Sequence, residues 1–243
     1  MKPLGNETSL VKLLLFLSHN GLCSRRKAFD IIKDGLVKVN GEIIREPSFM
    51  VDEKKDKVFV EGKSLSFKNF EYILLHKPAG FVTTVTDRFA EKTVFDILPE
   101  KYKHLAPVGR LDKDTEGLLL FTNDGDVAYK LTHPKFNVYK TYFVIISGRL
   151  DQKNKERIEK GVVIEGRKTA PAKIKDMVYR ENKTELFLTI HEGRKRQIRL
   201  MFPQVGQQVI YLKRVMQGPI QLGDLKKGQY RALTNKEMEL LQQ

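Results

Sequence analysis

The sequence GRLDKDTEGLLLFTNDG, residues 109–125, leads from a charged turn into an apolar run and ends in a second turn. The apolar run, closed by Asn, Asp and Gly, predicts a strand that is buried on both faces. A buried strand holds the loop before it on a rigid support, which is where a catalytic side chain is best positioned. We therefore expect Arg110, Asp112 and Asp114, which that loop carries, to include a functional group.

The composition is strongly basic. The 44 Lys and Arg residues exceed the 30 Asp and Glu residues, which gives a net charge of +14. Such a surplus attracts polyanions and indicates nucleic acid or an anionic membrane as partner, although a basic enzyme without a polyanionic partner has the same composition. The apolar run of residues 10–17 contains Lys12 and falls short of the ~20 residues that cross a bilayer, so it predicts a buried helix face and no membrane partner.

The chain contains one cysteine, Cys23. A single cysteine excludes an intramolecular disulfide and a CxxC metal knuckle. It fits a reducing compartment, so we expect the protein to be cytoplasmic.

The first 60 residues combine helical spacing with a hairpin signal. Leucines at helical spacing predict a helix that starts at Leu10 and ends at the Asn-Gly of positions 20–21. Ser24 is placed to cap a second helix, which Gly35 ends. The alternating segment around Asn40-Gly41 then predicts a hairpin.

Three cations, Arg25, Arg26 and Lys27, occupy the first turn of the second predicted helix. Cations are unfavourable beside the positive end of a helix dipole. Their position is explained if the turn binds a phosphate of RNA, whereas the alternative is a basic turn that is merely solvated.

The second part of the chain alternates strands and helices. Short strands are predicted at residues 72–75, 81–85, 118–121, 141–147 and 185–190. Helices are predicted at 93–98, at 127–131 and between Asp151 and Gly161. The segment HEGRKRQIRLMF is predicted as a helix with one apolar face and, on its flank, a cationic stripe of Lys195, Arg196 and Arg199.

Few chemistries fit these residues. The sequence has no phosphate-binding glycine loop and no HExxH, and its five histidines lack ligand spacing, so no metal site is predicted. Asp112 lies between Arg110 and Lys113, where its ionised form is favoured. It could act as a nucleophile, as a base or as the stabiliser of a cationic sugar. Asp112 and Asp114 could also form a glycosidase pair, or both could be turn residues that bond only the local backbone.

Several motifs, in order, resemble one enzyme family. The segment CSRRKAFDIIKDGLVKVNGEII is similar to the S4 RNA-binding module, and GRLDKDTEGLLLFTNDG resembles the signature of ribosomal RNA pseudouridine synthases of the small-subunit (RsuA) type. The further segments HKPAGFVTT, KTY, EGRKRQIRLMF and GQYRALT agree with that family in the same order. The resemblance covers nearly the whole chain.

The resemblance implies residue roles. The essential aspartate of the family falls on Asp112, the aromatic residue that stacks on the target base on Tyr142, and the arginine that pairs with the aspartate on Arg199. It implies isomerisation of uridine to pseudouridine without a metal or organic cofactor, and leaves open whether the aspartate attacks the sugar or removes a ribose proton. The residues assigned to RNA binding are Arg25, Arg26, Lys27, Arg110, Lys140, Arg194, Lys195 and Arg196.

We therefore predict an α+β protein with an S4-like RNA-binding domain at residues 1–60, a linker at 61–70 and a catalytic domain at 71–243 built on a mixed, largely antiparallel sheet. The expected function is site-specific pseudouridine formation in ribosomal RNA by a monomer. The alternatives are pseudouridine formation in transfer RNA, hydrolysis of a nucleoside bond, and a noncatalytic ribosome-assembly factor. The intact Asp112, Tyr142 and Arg199 argue against the last of these.

Replacement of Arg25 and Arg26 by alanine should weaken RNA binding, because two cations that pair with phosphates are removed. In a salt titration of the RNA affinity, the slope of log K against log salt should decrease by about one for each phosphate that is no longer neutralised. An unchanged slope would remove this helix turn from the RNA interface.

Overall fold

The computed structural model describes residues 10–66, 69–84 and 92–242. The chain divides into two compact units. Of the described residues, those from 10 to 71 together with 123–125 form the first unit, and those from 72 to 122 and from 126 to 242 form the second. No helix of the described segments is long and apolar enough to cross a membrane.

The first unit packs two helices against short antiparallel strands. Its helices are α1 (Leu13–His19) and α2 (Arg25–Lys33), and its strands are β1 (Leu10–Lys12), β2 (Val37–Val39), β3 (Glu42–Ile43), β4 (Met50–Asp52), β5 (Val58–Val60) and β6 (Lys63–Leu65). The predicted cap is present, because the Ser24 hydroxyl accepts a hydrogen bond from the Lys27 N–H at 3.3 Å. The predicted hairpin is also present, with Val39 opposite Glu42 across the turn.

Two details of this unit differ from the sequence-based expectation. Helix α1 begins at Leu13, because Leu10–Lys12 pairs as a strand with Met50–Asp52. The segment predicted as a linker, residues 61–70, contains β6, which pairs with β5 in a four-stranded sheet of order β3-β2-β5-β6. The apolar positions of both helices still face one core, which includes Leu17 and Ile32.

The second unit is built on one large mixed sheet. The strands of this unit are β7 (Tyr72–Lys77), β8 (Ala106–Pro107), β9 (Glu116–Thr122), β10 (Lys140–Ser147), β11 (Val163–Ile164), β12 (Arg167–Lys168), β13 (Lys173–Arg180), β14 (Lys183–Ile190), β15 (Val209–Gln217), β16 (Ile220–Gln221) and β17 (Tyr230–Ala232). Strands β11 and β12 pair with each other in a separate two-stranded sheet, and the other strands form the large sheet. The α-helices of this unit are α3 (Gly125–Thr132), α4 (Gln152–Glu159), α5 (Gln197–Met201) and α6 (Asn235–Gln242). The main path of the sheet is β13-β14-β10-β15-β9-β7-β17. All neighbours on this path are antiparallel except β15 and β9, so the predicted α+β class with a mixed, largely antiparallel sheet is confirmed.

Strand β9 is buried along its whole length, as its apolar sequence predicts. Alternate side chains enter two different cores, because Leu119 and Phe121 pack in one hydrophobic cluster and Leu118 and Leu120 pack in another. Helices α4 and α5 contribute to the first cluster, and α3 and α6 contribute to the second. The strand therefore holds its N-terminal loop between two packed layers.

Two other predictions for this unit need correction. Residues 81–84 form a loop with one isolated bridge, Val82 to Thr93, in place of the predicted strand, and Val85 lies outside the described residues. The segment at 191–202 is largely a turn, and the α-helix spans only Gln197–Met201. The helix cannot begin earlier because Arg196 has φ 52°, a left-handed conformation.

Strand β17 is joined to α6 by a two-pronged ion pair. The Arg231 guanidinium donates two hydrogen bonds of 2.7 Å to the Glu237 carboxylate, which also accepts from the Thr234 N–H. These hydrogen bonds, with that from Arg231 the largest cause, lower the pKa of Glu237 to about 2.

Replacement of Glu237 by glutamine should lower Tm at pH 7, by about 2–4 °C for each kcal/mol lost. Because the folded-state pKa of Glu237 is depressed, its contribution is present above pH 4.5 and is lost as the pH falls toward 2. Thermal melts of both proteins between pH 7 and pH 2 should therefore converge at low pH. Glu239→Gln, an exposed position on the same helix, is the matched control and should leave Tm unchanged.

Candidate active site

The loop of residues 111–115, called here the Asp112 loop, is held by one buried lysine. Lys77, the last residue of β7, is 0% exposed. Its ammonium group donates hydrogen bonds to the carbonyls of Pro78, Lys113 and Thr115 at 3.0, 3.2 and 2.8 Å. An ammonium group has three donors, so all three are used.

The charge of Lys77 is balanced by the acidic side chains around it. Burial lowers the pKa of Lys77 to about 8, while the carboxylates of Glu116, Asp112 and Asp114 act in the opposite direction. The ammonium group and the acidic side chains of this loop therefore attract each other.

Residues 80–83 hold the same loop from its other side. The Thr83 hydroxyl donates to the Leu111 carbonyl at 2.9 Å and accepts from the Leu111 N–H at 3.3 Å. The Gly80 N–H donates to the Lys113 carbonyl at 2.8 Å. The motif HKPAGFVTT thus forms the support of the Asp112 loop.

Gly117 allows β9 and β15 to approach each other closely. Its φ is +107°, and a Cβ at this position would collide with the backbone of Arg214. The two strands pair in parallel through Lys213 with Glu116 and Arg214 with Gly117. A larger residue at position 117 would separate the Asp112 loop from β15.

A cleft of about 540 Å³ lies beside the Asp112 loop. The structure brings together in it most of the residues that the sequence analysis assigned to catalysis and RNA binding. These residues of the lining are Arg110, Asp112, Lys140, Tyr142, Arg194, Lys195 and Arg196. We refer to this cleft as the Asp112 cleft.

One wall of the cleft is formed by β10 and β15. Tyr142 and Arg214 are direct cross-strand partners, so their side chains lie side by side on the same face. Tyr142 is 8% exposed and Arg214 is 2% exposed, and both line the cleft. The Arg214 Nε donates to the Leu118 carbonyl at 2.8 Å, while its buried Nη2 has no hydrogen-bond partner among the described residues.

Arg214 was not among the functional residues predicted from the sequence. Leu212 and Arg214 alternate along β15, and this spacing places Arg214 on the inward face with Leu212. A charged residue at an inward-facing position of a strand was the signal that could have indicated it.

Arg199 is close to the loop but does not line the cleft. Its guanidinium donates to the Asp114 carbonyl at 2.9 Å and to the Val209 carbonyl at 3.5 Å. No ion pair between Arg199 and Asp112 occurs within the described ranges, so the expected pairing is replaced by contacts with backbone carbonyls. Burial is the first cause of the lowered pKa of Arg199, and the neighbouring Arg196 adds to it.

The other cations of the cleft differ in how they are held. Arg194 donates to the carbonyls of Ile164 and Arg167, which ties it to the β11–β12 hairpin. Lys140 donates to the Val138 carbonyl at 3.0 Å, and burial lowers its pKa. Lys195 and Arg196 lie in the turn before α5, so the predicted helical stripe with Arg199 is wrong, although both still reach the cleft.

The two carboxylates of the loop have different surroundings. Asp112 is half-buried in the cleft, whereas the side chain of Asp114 is 64% exposed and lies 3.8 Å from Arg196. Asp114 therefore has the features of a turn residue. The described residues contain no cluster of three or more His, Cys, Asp or Glu that could hold a metal ion.

Arg25, Arg26 and Lys27 belong to the first unit. They form the exposed first turn of α2, as predicted. Their side chains are accessible to a phosphate.

The sequence as a whole identifies the enzyme class. The RNA pseudouridylate synthase family model matches residues 71–204, and the S4 domain model matches residues 11–58. The chain belongs to the RNA pseudouridylate synthase family and is an RNA-binding isomerase that converts uridine to pseudouridine. The resemblance to this family is confirmed.

Individual relatives extend over nearly the whole chain. An uncharacterized RNA pseudouridine synthase of Aquifex aeolicus is 38% identical over 95% of this chain and 93% of its own length. Ribosomal large subunit pseudouridine synthase B of Bacillus subtilis is 40% identical over 95% of both chains. A crystal structure of a pseudouridylate synthase, 31% identical, superposes with a TM-score of 0.67 and covers 95% of this chain and 99% of that one.

Replacement of Lys77 by methionine should destabilise the Asp112 loop. The change leaves three carbonyls without their donor, at a cost of about 1–3 kcal/mol for each buried group. We expect a lower Tm together with a lower kcat for pseudouridine formation. Lys113→Met, an exposed lysine of the same loop, should leave Tm within about 1 °C of the wild-type value. Equal Tm values for the Lys77 variant and the wild type would contradict this role.

Proposed function

We propose that this enzyme isomerises specific uridines of ribosomal RNA, with Asp112 as the catalytic carboxylate. One observation carries the proposal. Asp112 from one segment and Tyr142 from another line a single cleft that is rich in cations. A carboxylate, an aromatic ring and cations are the groups that cleavage of a glycosidic bond in a flipped nucleotide requires.

The reaction exchanges one bond to ribose C1′ for another. The N1–C1′ bond breaks, the uracil turns, C5 bonds to C1′, the proton at C5 is released and N1 gains a proton. An ionised Asp112 can assist as the nucleophile at C1′ or as the base that removes a ribose proton. Both roles need a carboxylate held rigidly, and the hydrogen bonds of Lys77 and Thr83 to the loop support this.

Tyr142 suits the role of stacking partner. The ring is buried in the wall of the cleft beside Arg214. Stacking of a base on an aromatic ring contributes about 1–3 kcal/mol, which offsets part of the free energy needed to unstack the target nucleotide. Arg199, which bonds the Asp114 carbonyl, acts in this proposal by holding the loop.

The cations of the cleft provide the contacts with RNA phosphates. Arg110, Lys195 and Arg196 are exposed at its rim, where a guanidinium or ammonium group can pair with a phosphate. We assign RNA contacts of the first unit to Arg25, Arg26 and Lys27. In this proposal the first unit binds RNA and the second catalyses the reaction.

Ribosomal RNA is the favoured substrate. The Bacillus subtilis relative, 40% identical over almost the whole chain, is named for the large ribosomal subunit. The S4 domain together with a net charge of +14 also suits a large polyanionic RNA. We expect the reaction to take place in the cytoplasm.

Asp112→Asn should abolish pseudouridine formation, because a neutral amide can neither attack C1′ nor accept a proton. Tritium release from RNA labelled at C5 of uridine should fall at least about 10³-fold, while RNA affinity changes little. In cells that lack the protein, the wild type but not Asp112→Asn should restore pseudouridine at one or a few positions of ribosomal RNA.

Asp114→Asn is the matched control, since it removes an exposed carboxylate of the same loop and should retain activity within several-fold of the wild type. Full tritium release by Asp112→Asn would contradict the catalytic assignment. Restoration of pseudouridine only in transfer RNA would contradict the choice of substrate.

A further inference from the structure

Gln217 is a buried amide in the wall of the Asp112 cleft. It is the last residue of β15, is 1% exposed and lines the cleft. Its Oε1 is shielded from water and has no hydrogen-bond partner among the described residues. A buried acceptor without a donor costs about 1–3 kcal/mol, so a donor is expected to reach it in the functional state.

The orientation of the amide is fixed by its other end. Gln217 Nε2 donates to the Leu131 carbonyl at 3.4 Å. The opposite orientation would place two oxygens against each other, so Oε1 is the atom that remains without a partner.

A bulge in β15 brings Gln217 and Arg214 to the same face. Lys140 faces Gln217 and Tyr142 faces Arg214, with the register shift between them. The three residues 140–142 of β10 thus correspond to the four residues 214–217 of β15, and the side chains of Gln217 and Arg214 both line the cleft. Bulges beside active sites commonly redirect a side chain in this way. Arg214 Nη2 and Thr115 Oγ1 are the other buried polar atoms of the cleft lining that have no hydrogen-bond partner among the described residues.

Gln217 Oε1 and Arg214 Nη2 provide the groups that one edge of uracil requires. Uracil has a donor at N3–H between two carbonyl acceptors, and the cleft lining contains a buried acceptor on Gln217 and a buried donor on Arg214. We propose that Gln217 Oε1 accepts the N3–H of the target base and that Arg214 Nη2 donates to a neighbouring carbonyl, so that this pair of side chains selects uracil.

The same arrangement rejects cytosine. Cytosine has no hydrogen at N3 and would place a lone pair against Gln217 Oε1. The site would then keep a buried acceptor without a donor, which is the situation in which hydrogen-bonding sites discriminate most strongly. Because both atoms are shielded from water, a base reaches them only after a side-chain rotation in the wall, and the two hydrogen bonds formed with the base favour that rotation.

The test compares RNA containing uridine with RNA containing 3-methyluridine at the target position, each with tritium at C5. N3 takes no part in the bonds that break or form, so methylation removes only the donor and adds a methyl group. With the wild-type enzyme, methylation should lower kcat/KM about 10- to 100-fold. For the Gln217→Leu enzyme, kcat/KM with the uridine RNA should fall by a similar factor. Methylation of that RNA should then change kcat/KM of this variant by less than about threefold.

Met216→Leu is the matched control, because Met216 lines a different groove of this unit. For Met216→Leu, methylation of the RNA should lower kcat/KM by the same factor as for the wild-type enzyme. Equal use of both RNAs by the wild-type enzyme would overturn the proposal even if Gln217→Leu failed to fold. If Gln217→Leu is slower but its kcat/KM still falls 10-fold or more when the RNA is methylated, Gln217 contributes only to packing. The inference rests on the proposed binding of the target base in this cleft. All enzymes compared in this test retain Asp112, so a negative result would not bear on the catalytic role of Asp112.

Discussion

The ammonium group of Lys77 is the constraint on which the active site depends. Three backbone carbonyls from two separate segments converge on it, and two of them belong to the loop that carries Asp112. Without a donor these carbonyls would be left without hydrogen-bond partners, so the ammonium group stabilises this loop conformation. The hydrogen bonds of Thr83 then fix the position of Leu111, directly before Asp112.

The second constraint is the close approach of β9 and β15 at Gly117. The sheet consists of two antiparallel halves joined by this short parallel pairing. The Asp112 loop comes from one half, and Tyr142 and Arg214 come from the other. The separation of carboxylate and aromatic ring is therefore set by the packing of two backbones, which varies less than the position of a flexible side chain.

The local parts of this site could be predicted from sequence, and the parts that depend on distant pairing could not. The apolar run after Asp112 predicts a buried strand, and Ser24 predicts a helix cap, because each signal lies within a few residues of its effect. Arg214 combines both cases: its inward-facing position could have been predicted from its alternation with Leu212, whereas its place beside Tyr142 follows from the strand register.

The error at residues 191–202 has a physical cause. Ile198, Met201, Phe202 and Val205 are buried, as their helical spacing predicts, but the α-helix and the 3₁₀ turn at Phe202–Val205 are sufficient to bury them. The periodicity therefore gave no information about Lys195 and Arg196. Those residues adopt a turn in which Arg196 has a positive φ, and their place in the cleft follows from that turn.

The position of β15 in the sheet has a consequence for synthesis of the chain. This strand, residues 209–217, lies between β10 and β9, although both of these precede it by many residues. During synthesis, until β15 is made, one edge of β10 lacks its partner strand and β9 lacks its parallel pairing at Glu116 and Gly117. The cleft closes only when the last quarter of the chain is made, so a prematurely terminated product would contain Asp112 and Tyr142 without the strand that brings them together.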